Sequence, residues 1–203
     1  MKSSFMNYLA HAYLSFNDKD VLLGNMISDF VKGKQQFDFD PSVRQGIQLH
    51  RAIDTFTDEH PATKAAKEYF RKDYRLYSGA FVDVVYDHFL ANDEQEFPHE
   101  SDLMKFSHRS YAMLETQQHI MPLVFQQMFP YMQRQNWFYN YRNAEGIRSS
   151  FGGLKRRAAY IESTERAFEI FMEHYDRFEE LYEYFFKDVK LFAIHHLATM
   201  HKH

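Results

Sequence analysis

The stretch Gly46-Ile-Gln-Leu-His-Arg-Ala-Ile-Asp-Thr-Phe-Thr-Asp-Glu-His-Pro61 carries two patterns at once. Read as a helix, it has apolar positions at Ile47, Leu49, Ile53 and Phe56, and it sets His50, Asp54 and Asp58 four residues apart. Residues four apart on a helix are stacked neighbours. One imidazole and two carboxylates therefore line one edge beside an apolar stripe. That edge suits a metal, because His and carboxylate are hard-to-borderline ligands. It equally suits a solvated helix face with ordinary charge pairing.

The flanks extend the helical pattern in both directions. Asp40-Pro41 reads as an N-cap followed by proline at the first helical position. His60-Pro61 closes the helix, since the residue before proline disfavours the α region. Upstream, helices are expected over about residues 7–16 and 19–31. Downstream they are expected over about 62–77 and 80–91, the second carrying the most apolar short segment, Ala80 to Ala91. Its β-branched content would also support a strand, but its spacing and surroundings favour a buried helix. Further patterns cover about 101–119, 122–134, 136–142, 144–157 and 163–200, the last with a break near Tyr175 or Asp176. The final helices are expected to pack outside the core begun by the first 91 residues.

Bulk composition agrees. The 203 residues suffice for one domain with a sizeable core. Gly and Pro number only 7 and 5, while aromatics reach 18%, which favours helices with short connections over a turn-rich sandwich or barrel. The expectation is one all-α domain over residues 1–203, a single-domain helical bundle. The absence of cysteine excludes disulfides, thiolate zinc sites, iron–sulfur clusters and a Cys nucleophile. A net charge of −4 invites neither nucleic acid nor an anionic membrane. There is no signal-peptide core and no run of about 18 apolar residues. The expected location is the cytoplasm.

Four segments within residues 5–91 place polar groups on otherwise apolar elements: Asn7 with His11, Asn25 with Asp29, His50 with Asp54 and Asp58, and Asp83 with Asp87 and His88. One such group alone is ordinarily a hydrogen-bonded structural residue. Several carboxylates converging in a bundle are costly without a cation, and inward-facing helices are a known way to house a metal. Mixed His and carboxylate ligands suit Mn²⁺, Fe²⁺ or Mg²⁺, and admit Zn²⁺. Such a site can activate water and polarise a phosphoryl oxygen, so phosphate-ester hydrolysis is the natural chemistry. No nucleophile elbow or Gly-rich phosphate loop is present.

The segments Asn7-Tyr-Leu-Ala-His11, Leu23-Gly-Asn-Met-Ile-Ser-Asp-Phe-Val-Lys-Gly33, Gly46 to Pro61 and Asp83-Val-Val-Tyr-Asp-His-Phe-Leu-Ala91 resemble the successive motifs of the acyl carrier protein phosphodiesterases. Trp137, Tyr141 and Arg142 resemble a further element of that family. The resemblance implies an all-α fold distantly related to the HD-domain phosphohydrolases, with Mn²⁺ or Mg²⁺ as cofactor. It implies acyl carrier protein as partner and removal of the 4′-phosphopantetheine arm from its serine. Motif residues matched are His11, Asn25, Asp29, His50, Arg51, Asp54, Asp58, Asp83, Asp87 and His88.

The expected ligands are Asp29, His50, Asp87 and His88, with Asp54 next. His11 is the candidate for proton transfer or ligand support, and Arg51 for phosphate contact. Catalysis is thus assigned to His11, Asp29, Arg51 and Asp54. Arg71, Lys72, Arg75 and Lys155 to Arg157 are candidates for holding an acidic carrier protein. Three features depart from the pattern: the adjacent pair is Asp87-His88 rather than His-Asp, Tyr13 stands where some relatives have a second His, and Asn92 replaces an aromatic. The alternatives are a nucleotide or other small phosphodiester as substrate, or a helical binding module with no catalysis.

Overall fold

The computed structural model describes residues 8–158 and 160–200. Among them are eleven α-helices and no strand. Asn7 lies outside the described residues, so its expected pairing with His11 is not part of this description. No helix among the described residues is long and apolar enough to cross a membrane.

Helices α1 (Tyr8–Tyr13), α2 (Lys19–Ile27) and α3 (Pro41–Glu59) build the site. Asp18 caps α2, accepting from the backbone N–H groups of Asp20 and Val21. The expected continuous helix over 19–31 is interrupted: α2 ends at Ile27 and residues Ser28–Phe30 form a 3-10 turn. Pro41 opens α3 as the sequence indicates, although the Asp40 side chain makes no capping bond. At the far end His60 serves two helices. Its backbone closes α3, and its Nδ1 accepts from Ala62 N to cap α4 (Pro61–Tyr74).

Contact between α2 and α3 is backbone to backbone. A Cβ added at Gly24 would lie 2.0 Å from the Val43 carbonyl oxygen, and one at Gly46 would lie 2.2 Å from that of Val21. Only glycine permits this approach. It brings His50, midway along α3, to the end of α2, where helix carbonyls lack intrahelical partners.

Helix α5 (Ser78–Asn92) runs through the middle, buried at every position from Ala80 to Ala91 except Asp83. A helix apolar all round is a central one. Around it lie α6 (Glu100–Glu115), α7 (Leu123–Arg134), α8 (Trp137–Asn140), α9 (Ala144–Arg157), α10 (Glu165–Glu173) and α11 (Tyr175–Met200). The break ahead of α11 falls at His174, next to its expected place.

The expectation that the last helices pack outside the core is corrected. Phe178, Leu181, Tyr182, Phe185, Phe186 and Val189 of α11 are all buried. Phe70 of α4 stacks on both Phe81 of α5 and Phe178 of α11, at 5.4 and 5.3 Å between centroids. One apolar cluster extends from Tyr8 to Leu197. The aromatic excess explains this, because Phe and Tyr supply large apolar area even from a helix late in the chain.

Candidate metal centre

Asn25, fully buried on α2, organises the site. Its Nδ2 donates to the His11 carbonyl at 2.8 Å and to Ser15 Oγ at 3.1 Å. Ser15 Oγ spends its own proton on the His11 carbonyl, at 2.8 Å. The amide orientation is thereby fixed, and Asn25 Oδ1 faces His11 Nδ1 at 2.8 Å as an acceptor. His11 must carry its proton on Nδ1. The Asn25 backbone carbonyl meets His50 Nδ1 at 2.7 Å. A carbonyl only accepts, so His50 is also protonated on Nδ1.

Both imidazoles therefore turn a bare Nε2 the same way. The rings are stacked, with centroids 3.9 Å apart and planes at 16°. His11 Nε2 faces Asp54 Oδ1 at 3.3 Å. His50 Nε2 faces Asp54 Oδ2 at 3.4 Å and Asp29 Oδ1 at 3.5 Å. Ligand atoms of His11, His50 and Asp54 all lie within 4.8 Å of one another. His50 Nε2 and Asp29 Oδ2 are buried without a hydrogen-bond partner. Neutral nitrogen lone pairs aimed at carboxylate oxygens repel unless a cation stands among them. Two imidazoles with their second nitrogens tied to carbonyl oxygens are the arrangement that metal-binding histidines adopt. The donor set fits a divalent cation.

Without a metal, a proton can take that place. Burial opposes charge on His50, yet Asp54 and Asp29 push its pKa up to about 10. Burial and the neighbouring His50 ring hold His11 below its usual value. Burial alone would raise Asp54, but His50 and His11 hold it well below the carboxylate range.

Four of the expected site residues, His11, Asp29, His50 and Asp54, come together. The 3-10 turn matters here: it swings Asp29 off the α2 face and toward His50. Arg51, half-buried and next to His50 in the chain, donates from Nη2 to the Val31 carbonyl at 2.8 Å, one of its five N–H groups.

The two other expected ligands are engaged elsewhere. Asp87 accepts from the backbone N–H groups of Leu9 and Ala10, at 3.0 and 2.8 Å. It thereby fixes the start of α1, whose first N–H groups have no helical partner. Burial pushes its carboxyl up to about 8 despite these donors and the Tyr141 hydroxyl. His88 has Nδ1 2.8 Å from the Tyr141 carbonyl and Nε2 3.0 Å from the Tyr175 hydroxyl. Both its nitrogens are occupied, so the geometry gives neither residue of this pair a place among the converging ligand atoms. Asp58 pairs with Lys67 at 2.7 Å, on the exposed end of the α3 edge. Asp83 is half-buried near Asp54. Its burial and the Asp54 charge push it well above the usual carboxylate range.

Ser15 and the hub role of Asn25 were not assigned from sequence. The spacing of Asn25 and Asp29 marked the position but not which backbone carbonyls the amide would reach. The departures at Tyr13 and Asn92 have structural accounts. Tyr13 joins a separate network, its hydroxyl donating to Glu96, which also pairs with Lys190. Asn92 Nδ2 donates to the His88 and Arg142 carbonyls at 2.9 and 3.1 Å. A cavity of about 360 Å³ next to Tyr13, lined also by Phe97, Lys105 and Arg109, includes none of the cluster's residues.

With this geometry in view, the comparisons with known proteins are direct. The family model for acyl carrier protein phosphodiesterase matches residues 6–189. Curated relatives bearing that name include one from Photorhabdus laumondii, 30% identical over 181 residues, covering 89% of this chain and 91% of the relative. Another, from Yersinia pestis, is 30% identical over 190 residues, 94% of this chain and 98% of the relative. No solved structure matches. The chain belongs to the acyl carrier protein phosphodiesterase family.

Proposed function

We propose that this chain hydrolyses the phosphodiester joining 4′-phosphopantetheine to the serine of holo-acyl carrier protein, using a divalent metal held by His11, His50 and Asp54 with Asp29 beside them. The observation that carries the reading is the pair of bare Nε2 atoms facing Asp54 and Asp29, with His50 Nε2 buried and unpartnered. Family membership supplies the substrate. Two imidazoles with carboxylates favour Mn²⁺ or Fe²⁺ over Mg²⁺, which prefers oxygen ligands. A cysteine-free chain suits the cytoplasm, the proposed location.

When bound, a divalent cation lowers the pKa of a coordinated water and polarises a phosphoryl oxygen. The chain's own residues do the rest. Asn25 holds both imidazoles by their Nδ1 protons, so neither ring can turn its bare nitrogen away. Arg51, anchored to the Val31 carbonyl, has N–H groups left for a phosphate oxygen. Burial and the Asp54 charge push the Asp83 carboxyl above the usual carboxylate range in the metal-free protein. Asp87 and His88 fix α1 and α8 against α5 rather than binding the cation.

Intact-mass spectrometry of holo-acyl carrier protein incubated with the chain and Mn²⁺ tests this. The expected product is the apo protein, formed at least about 100-fold more slowly by Asp54→Asn, which removes a ligand charge. Unchanged mass with metal present sinks the proposal. Turnover of small phosphodiesters alone would transfer the site to another substrate.

A further inference from the structure

Helix α6 carries Asp102, Lys105, Phe106 and Arg109 on one face, at spacings of three and four. All four line the cavity of about 360 Å³ beside Tyr13. Another wall is the end of α1 with the loop that follows it, at Phe16 and Asn17. No residue of the metal cluster lines this cavity.

The lining selects a shape and a charge. Tyr13, Phe97 and Phe106 meet pairwise, with ring centroids 5.4, 5.9 and 5.5 Å apart. Phe16 brings a fourth ring to the wall. Rings so placed favour a flat aromatic guest, edge-on or offset. Of the charged side chains, Glu96 is matched by Lys190, and Asp102 by Lys105 at 3.2 Å. Arg109 makes no ion pair among the described residues, and its guanidinium lies 5.9 Å from the centre of the Phe106 ring. The cavity therefore has one cation to spare, a planar fork of donors that matches a carboxylate. A cationic guest would find both carboxylates taken, and a phosphate dianion brings more charge than one guanidinium matches. Small-molecule sites span roughly 300–1,000 Å³. A volume near the lower end suits one ring or two fused rings.

The loop wall is held against its own preference. Phe16 and Asn17 have φ of 50° and 62°, in the left-handed region that residues bearing a Cβ avoid. Packing of Phe16 on the core keeps it there. Backbone strain of this kind gathers at ligand clamps.

We infer that this cavity binds a monocarboxylate carried on one or two fused aromatic rings, its carboxylate on Arg109 and its rings against Tyr13, Phe97 and Phe106. The site is independent of the hydrolase reading, and neither turnover nor its absence bears on it.

NMR titration of the ¹⁵N-labelled full chain with 2-naphthoate tests this, in EDTA so that no cation at the metal cluster draws the carboxylate. Saturable shifts of the Phe16, Asn17 and Phe97 amides are expected. Arg109→Gln, at an exposed position, should raise Kd about tenfold, as loss of a charge-assisted bidentate pair does. The neutral analogue 2-naphthamide should bind the wild type about as weakly as 2-naphthoate binds that variant. Lys72→Gln removes the same charge from an exposed position outside the cavity, and should leave Kd unchanged. Absence of saturable shifts at those three amides overturns the inference. So do equal affinities for acid and amide, an unchanged Kd in Arg109→Gln, or an equal loss in Lys72→Gln.

Discussion

At the scale of the residue, the tautomers of His11 and His50 decide what the site can hold. Each ring gives its Nδ1 proton to an oxygen of Asn25, one to the side chain and one to the backbone. Asn25→Ala removes only the side-chain partner. His11 is then free to rotate or to shift its proton to Nε2, while His50 keeps its carbonyl. Outer partners of metal-binding histidines typically govern 10–100-fold in affinity. The variant should lose Mn²⁺ affinity in that range by titration calorimetry and retain its helical circular dichroism. Undiminished affinity would remove Asn25 from the site. The same cluster sets a pH dependence in the metal-free protein. His50 titrates near 6.5 when unfolded and is pushed up to about 10 when folded by Asp54 and Asp29 against burial. Between those values the folded state binds more protons than the unfolded one. Its contribution to stability is thus fully present below about 6.5 and is lost as pH rises through about 10. Urea midpoints in EDTA should fall between pH 6.5 and 10 by more in the wild type than in His50→Gln. Parallel declines would contradict the pairing.

At the scale of the element, the site depends on how closely α2 and α3 approach. Gly24 and Gly46 meet with no room for a Cβ on either, the nearest atoms being backbone on the facing helix. Their separation sets whether His50 Nδ1 can reach the Asn25 carbonyl. Gly46→Ala would place a carbon 2.2 Å from the Val21 carbonyl oxygen, so the helices must move apart. Overpacking of this kind costs about 1–3 kcal/mol, more than alanine's better helix propensity returns. The variant should unfold at lower urea and bind Mn²⁺ more weakly. Stability at or above the wild type would mean that the helices are less tightly seated. The 3-10 turn Ser28–Phe30 is the other element on which the site turns, since it aims Asp29 at His50. In sequence, Asn25 and Asp29 look like partners on one helix face. The break between them follows from packing against α3, and no Gly or Pro lies within residues 25–29 to announce it.

At the scale of the whole molecule, local pattern was legible and long-range partnership was not. Prolines at both ends, Pro41 and Pro61, marked α3 closely, and four-residue spacing brought His50 and Asp54 to notice together. The fate of Asp87 and His88 depended on residues far away, Leu9 and Ala10 for one, Tyr141 and Tyr175 for the other. Nothing in a short window reveals such pairings, because a buried carboxylate caps a helix or binds a cation with the same spacing. The last helices were misplaced for a similar reason: the partners of Phe178 are Phe70 and Tyr69, more than 100 positions earlier. Their burial in one core makes a prediction about cooperativity. A metal that binds only the folded state stabilises it by RT ln(1 + [L]/Kd), about 2.7 kcal/mol at 100 times Kd. For a chain of this length that raises Tm by roughly 5–10 °C. The cluster draws its ligands from α1 to α3 and the turn between them, yet α11 packs against α3, α4 and α5. The whole chain should therefore melt in one transition, and Mn²⁺ should shift all of it. Differential scanning calorimetry with and without EDTA checks this. A metal-sensitive transition beside an insensitive one would mean that α11 belongs to a separate cooperative unit.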